Sequence, residues 1–342
     1  MKNYKKLIDL VVCLYCKGNL ILETNSINCT KCKKNYPIVD GIPRFVDESY
    51  YELNEDNTEL QKKTKNYFGF EWEYFNQWGF LEDGKTNIGK EHLNKGGTVS
   101  DRIQTFDNKC RLDRYDINSK IVLDAGCGNG RYTYEAALRS SEDSLIIGVD
   151  VGYGAVKSAY ENTKDLDSVI IIQASLFDLP FKDEIIDSCF SNGVLMHTGN
   201  AQKAFAEISR KIKTGGVFVA HVYGKLNPIW EFNDYWIRKI TTKLSIRKGL
   251  KLAQFFSKIA KIINVIPKGL VILNLFIRLQ PTEHHMFDWY SAPVASHHTY
   301  DELSAWFYEN NFNLIDDISL KNKTTNKLIF KPWAINLKGK KK

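Results

Sequence analysis

The chain has 342 residues, 43% of them hydrophobic and 13% aromatic, and a net charge of +7 from 47 Lys plus Arg against 40 Asp plus Glu. That apolar content excludes bulk disorder, eight prolines and 22 glycines exclude a collagen-like chain, and the length allows one large or two modest domains. With no run of about 18 apolar residues and no leader-type segment after Met1, the expectation is a cytoplasmic protein.

Four of the seven cysteines come first: Cys13-x-x-Cys16, twelve residues, then Cys29-x-x-Cys32. Two knuckles each presenting a sulfur pair, joined by a hairpin, build a four-thiolate site, and soft tetrahedral sulfur favours a structural zinc. Disulfides are the alternative, disfavoured in a reducing compartment. Cys110, Cys127 and Cys189 are scattered and read as small apolar residues. The run Tyr36-Pro37-Ile38-Val39-Asp40-Gly41-Ile42-Pro43-Arg44-Phe45 follows. Together with the knuckles it resembles, over about residues 7–46, the zinc-ribbon module of the small activator protein of tRNA and translation-factor methyltransferases, and the ribbon is placed at 1–46.

Residues 47–118 read as a linker and a helical cap with a dense aromatic cluster, Tyr67 to Phe80, whose rings either pack on the main domain or line a cleft. Ile121-Val122-Leu123-Asp124 then ends in Gly126-Cys127-Gly128-Asn129-Gly130 before a helical stretch, Arg131 to Arg139. A strand breaking into glycines ahead of a helix N-terminus lets a ligand approach the backbone closely. A second apolar strand ends at Asp150, where a carboxylate suits a pair of ribose hydroxyls. Strands at 169–172, 185–190 and 217–223 alternate with helices, which means a doubly wound, mostly parallel sheet, and the runs 312–318 and 327–330 bring it to seven strands.

With Asp124, the three glycines, Asp150, Leu179-Pro180-Phe181 with Asp187, and Lys213-Thr214-Gly215-Gly216, residues 100–335 resemble the class I S-adenosylmethionine-dependent methyltransferases, a Rossmann-like fold. The resemblance implies that the glycine turn cradles the methionine part of the cofactor and that Asp150 holds the ribose. It implies further that Leu176 lies against the adenine and that Asn192, Gly193 and Val194 line the mouth near the methyl group. Ser175 stands where many relatives carry an acid for the adenine amino group, and accepts a hydrogen bond more weakly. The organisation expected is a ribbon at 1–46, a cap at 47–118, a catalytic domain at 119–335 with a helical insert at 225–298, and a basic tail at 336–342.

A hydroxyl acceptor needs a base. His197, four residues past Gly193, is one candidate and His298 in the His297-His298 pair is the other; either can equally be a backbone-bonded or helix-capping residue. Trp289 is a candidate for the acceptor pocket. The insert interleaves Leu252, Phe255, Phe256, Ile259, Ile262 and Ile263 with Lys251, Lys258 and Lys261. It reads as a membrane-surface helix pair over 250–279, a lid over an amphiphile, or extra core. Residues 225–280 hold eleven basic and two acidic residues, and residues 321–342 eight lysines and no acid. Such blocks suit an anionic partner or are simply solvated faces. Three functions compete. The leading one is methylation of a hydroxyl on a small or lipid-linked molecule, such as a glycan, by a cytoplasmic enzyme peripheral to the inner membrane face. Below it stand an rRNA or tRNA methyltransferase, with nucleic acid as partner, and a catalytically inactive ribbon adaptor.

Overall fold

The computed structural model describes residues 4–46, 58–82, 97–317 and 333–342. Helix α1 (Tyr4–Leu10) leads into a four-stranded antiparallel ribbon, β1 (Leu20–Leu22), β2 (Ser26–Cys29), β3 (Asn35–Val39) and β4 (Ile42–Pro43). The main sheet comprises β5 (Ile121–Ala125), β6 (Leu145–Asp150), β7 (Val169–Gln173), β8 (Ile186–Asn192), β9 (Ile212–Tyr223), β10 (Phe312–Asp317) and β11 (Ala334–Lys341). Their order across the sheet is β10-β11-β9-β8-β5-β6-β7, with β11 antiparallel to both of its neighbours. Strands β5 to β9 run parallel, so β5, β6, β7, β8 and β9 finish along one edge at Ala125, Asp150, Gln173, Asn192 and Tyr223. A parallel sheet needs both faces covered, and β6 and β7 are accordingly buried at every residue. Asp187 keeps the sheet's opposite edge in register: its carboxylate accepts from the Ile121 N–H at 2.9 Å and the Lys213 ammonium at 2.8 Å.

The ribbon is not a separate body. Leu7, Val11, Leu14, Ile27, Tyr36 and Phe45 share one apolar core with Ile172, Leu179 and Phe181. The Val12 N–H donates to the Pro180 carbonyl at 2.7 Å and the Phe45 N–H to that of Gln173 at 2.8 Å, so the ribbon covers the exposed edge of β7.

The basic tail expected at 336–342 is instead part of β11. Ile335, Leu337 and Gly339 alternate inward, while Lys338 reaches Asp116 at 2.7 Å and Lys341 reaches the carbonyls of Ser209 and Ile212. These lysines snorkel to partners within the chain. The strand expected at 327–330 lies outside the described residues.

Two additions build the roof over the strand ends. Helix α2 (Thr58–Tyr74) crosses the helix α4 (Tyr153–Thr163), which follows α3 (Arg131–Arg139). The crossing is backbone on backbone: a Cβ on Gly154 would lie 2.3 Å from the Gly69 carbonyl oxygen. The second addition is the insert. After α5 (Ala201–Lys211) and β9 come α6 (Pro228–Thr241), α7 (Ile246–Ile263) and α8 (Glu283–Ser291), ahead of α9 (Tyr300–Glu309). Trp230, Ala253, Ala260, Met286, Phe287 and Tyr290 form a core with Tyr67 and Phe75 of the cap. Of the readings open for the insert, two hold together: it adds a core and it roofs the sheet.

Candidate active site

The strand ends, α2 and the insert enclose a cavity of about 230 Å³. Gly126, Gly128, Asp150, Ser175, Leu176 and Asn192, all expected to serve a cofactor, line it together with His197. Gly126, Gly128 and Gly130 have φ of +92°, +54° and +80°, a region that glycine enters freely. A Cβ at Gly128 would meet the Trp72 indole at 2.7 Å, so the ring from α2 lies against the loop. Gly130 sits outside the lining because it packs on α4, where a Cβ would meet the Ala159 backbone at 2.9 Å.

Asp150 is buried at the end of β6. One carboxylate oxygen accepts from the Gly152 N–H at 2.9 Å and the other from the Gly128 N–H at 3.1 Å. Burial raises its pKa, and those two donors act against the rise. Asp124 lies one layer below: its carboxylate accepts the Thr133 hydroxyl at 2.6 Å, and burial pushes it up to about 7. It supports the turn and does not line the cavity. Ser175 uses its hydroxyl to accept from the Phe177 N–H at 3.2 Å, which shapes the turn that presents Leu176.

His197 is buried at the cavity wall. Its Nδ1 lies 2.6 Å from the Val294 carbonyl, which can only accept, so Nδ1 carries the proton and Nε2 the lone pair. Nε2 has no hydrogen-bond partner among the described residues and faces Asp288 at 3.8 Å. Burial pulls the imidazole below the ordinary histidine range, with Asp288 opposing the shift. The Tyr223 hydroxyl donates to the other Asp288 oxygen at 2.8 Å. The second candidate, His298, is not among the lining residues. Its Nε2 meets the Ser296 hydroxyl at 2.8 Å and its ring lies against Trp306, just before the Thr299 cap of α9. Trp289 is likewise no lining residue: it is buried, with its indole N–H donating to Asp234 at 2.7 Å.

The insert supplies lining residues that were not singled out from sequence, namely Arg278, His284, His285 and Asp288; Lys109, His221 and Tyr223 come from elsewhere. His284, His285 and Asp288 share one face of α8 at spacings of three and four, a pattern that was readable as a polar stripe on a helix otherwise apolar. Lys109 carried no such signal.

The ribbon brings Cys13, Cys16, Cys29 and Cys32 together with all four sulfurs within 4.8 Å of one another. Zinc–sulfur bonds of about 2.3 Å in a tetrahedron separate sulfurs by about 3.8 Å; Cys16 and Cys29 lie 3.4 Å apart, and Cys13 and Cys32 3.5 Å. Both knuckles turn through a left-handed lysine, Lys17 and Lys33, directly after the second cysteine. The donor set therefore fits a closed, structural zinc site.

Residues 118–245 match a family of methyltransferase domains. An uncharacterised chloroplastic methyltransferase of Arabidopsis thaliana is 30% identical over 108 residues, 30% of each chain. The cyclopropane-fatty-acyl-phospholipid synthase of Escherichia coli is 32% identical over 121 residues, 34% of this chain and 30% of that one. This chain thus spans about a third of the length of such relatives. Among solved structures, an S-adenosylmethionine-dependent methyltransferase of Listeria monocytogenes aligns at a TM-score of 0.45 and 15% identity, over 71% of this chain and 99% of that one.

Proposed function

We propose that the chain, whose residues 118–245 match a methyltransferase domain, is a class I S-adenosylmethionine-dependent methyltransferase and transfers the cofactor's methyl group to a hydroxyl of a small or lipid-linked molecule such as a saccharide. The observation that carries the hydroxyl reading is the unpaired Nε2 of His197 in the cavity wall. Bound S-adenosylmethionine supplies a methyl group already activated by its sulfonium. What remains for the chain is to align the nucleophile and remove its proton. The Val294 carbonyl fixes the imidazole tautomer so that Nε2 accepts. Phe68 and Tyr223 flank the ring, with centroids 5.0 and 5.4 Å away. Once Nε2 takes a proton, Asp288 stands 3.8 Å off to stabilise the imidazolium, itself oriented by Tyr223. Asp150 and the glycine loop bind the cofactor, and Trp72 with the insert keeps water from the reacting groups.

The outer surface of the insert supports a lipid-linked acceptor and a peripheral contact with an anionic membrane. Ile229, Phe232, Trp236 and Ile240 form one stripe along α6, Phe232 63% and Ile240 67% exposed. Val265, Ile266, Val271, Ile272 and Phe276 extend the exposed apolar surface, among Lys239, Lys243, Lys261 and Lys268. Aromatic and aliphatic side chains interleaved with lysines are what an interfacial surface needs. Of the residues expected to carry such contact, Phe255 is exposed whereas Phe256 and Ile259 are half-buried. Among the described residues no helix is long and apolar enough to cross a membrane.

The test is transfer of tritiated methyl from S-adenosylmethionine into fractionated cell extract. Label should enter the lipid or saccharide fraction and fall by roughly 10²–10⁴ in His197→Gln. Label in RNA would favour the nucleic-acid acceptor, and no transfer at all the adaptor. Binding to anionic vesicles should be lost in Phe232→Asp/Trp236→Asp.

A further inference from the structure

The insert side of the cavity carries a cation with no direct ion-pair partner among the described residues. Arg278 lines the cavity, and its Nε is buried without a hydrogen-bond partner. Its side chain forms no ion pair or hydrogen bond among the described residues; its guanidinium carbon lies 4.1 Å from the Trp289 ring centroid and 4.9 Å from that of Trp333. Lys109 lines the same cavity while much of the residue stays open to solvent, and its side chain has no partner among the described residues. The carboxylates that act on Arg278 are committed elsewhere, Asp288 to Tyr223 and Asp234 to Trp289. His284 and His285 cannot share the charge, since burial keeps both imidazoles neutral.

A cation with a buried, unpartnered donor, such as the Arg278 Nε, is unfavourable unless an anion meets it, and proteins pair such groups where they can. A guanidinium packed against two indoles offers a forked pair of donors that suits a two-oxygen partner, and an ammonium adds a point charge. Arg278 belongs to the insert, which also contributes the Asp288 that faces His197, whereas Asp150 and the glycine loop belong to the sheet edge. We infer that Arg278 and Lys109 form an oxyanion subsite for the methyl acceptor, taking a phosphate or carboxylate that the acceptor carries. This rests on the methyltransferase reading above. The acceptor class is thereby narrowed to an anionic hydroxyl compound, such as a sugar phosphate, a phosphate-linked lipid or a uronic acid.

The experiment is calorimetric titration of the full chain, saturated with S-adenosylhomocysteine, with inorganic phosphate, glucose 1-phosphate, dihexanoylphosphatidic acid and glucuronate. At least one should bind saturably. Which one does separates phosphate from carboxylate and a free from a lipid-borne source. Arg278→Met and Lys109→Met should each weaken it roughly ten- to hundredfold, the range for a lost charged hydrogen bond. Arg278→Lys, which keeps the charge and the fold but not the fork, should retain part of the binding. S-adenosylhomocysteine affinity should be unchanged in the Arg278 variants. Binding of none of the four, or equal binding by Arg278→Met and wild type, overturns the subsite. So does a parallel loss of S-adenosylhomocysteine in Arg278→Met, because that cation would then serve the cofactor's carboxylate. If the wild type fails to bind S-adenosylhomocysteine, the methyltransferase reading falls instead. Oxyanion binding by the free protein, dependent or not on Arg278, then still decides the subsite.

Discussion

Replacing Asp150 by Asn tests the cofactor site with the smallest change of shape. In the wild type each carboxylate oxygen accepts a backbone N–H, from Gly152 at 2.9 Å and from Gly128 at 3.1 Å. An amide offers only one acceptor, so one buried N–H faces an NH2 group, at a cost of about 1–3 kcal/mol to stability. The ribose contact also loses its charge, worth ~1.5–3 kcal/mol, which is roughly ten- to hundredfold in affinity. Urea unfolding should report the first loss and calorimetry with S-adenosylhomocysteine the second. The affinity loss should recur with adenosine and vanish with its 2′,3′-dideoxy analogue, which has no hydroxyls to hold. A folded variant that binds S-adenosylhomocysteine as the wild type does would refute the ribose assignment.

Three further outcomes follow from the same geometry. Because burial lowers the His197 pKa from its ordinary 6.5, more than half of the imidazole is neutral at that pH, and the acid limb of the transfer rate should lie below it; His197→Gln should remove the limb. Asp124 is raised in the folded state from 3.8 to about 7, so it binds its proton more tightly folded than unfolded. Its favourable contribution is present below pH 3.8 and lost as pH rises to about 7, and Asp124→Asn should flatten the wild-type stability curve across that window. Chelating the zinc should loosen more than the ribbon, since Val12 and Phe45 bond to Pro180 and Gln173; deuterium uptake should rise at residues 170–181 as well as 7–46, and a rise confined to the ribbon would contradict the shared core.

What could be read from sequence was local. The glycine turn, Asp150 and the four cysteines each lie within a few residues of the strand or hairpin that positions them, so spacing alone located them. Strand β11 was missed because its four polar and basic side chains, Asn336, Lys338, Lys340 and Lys341, hid the alternation of Ile335 and Leu337, and the lysines read as a solvated tail. The ribbon's union with β7 was illegible because its contacts span 128 residues of sequence or more. The same distance hid Asp288 and Arg278, which only the folding of the insert brings to the strand ends, and Lys109, which reaches the cavity from the helical turn before β5. His197 and His298 looked alike in sequence; the Val294 carbonyl and the Ser296 hydroxyl, both remote from any motif, set one in the cavity wall and the other beside a helix cap.

A crystal structure of the full chain with S-adenosylhomocysteine tests the central claim most directly. The account predicts ribose hydroxyls on the Asp150 carboxylate, the amino-acid part against the Gly126–Gly130 turn under Trp72, and His197 Nε2 open to the side from which an acceptor would approach. A nucleoside bound away from Asp150, or His197 Nε2 bonded within the protein once the ligand is in place, would contradict it.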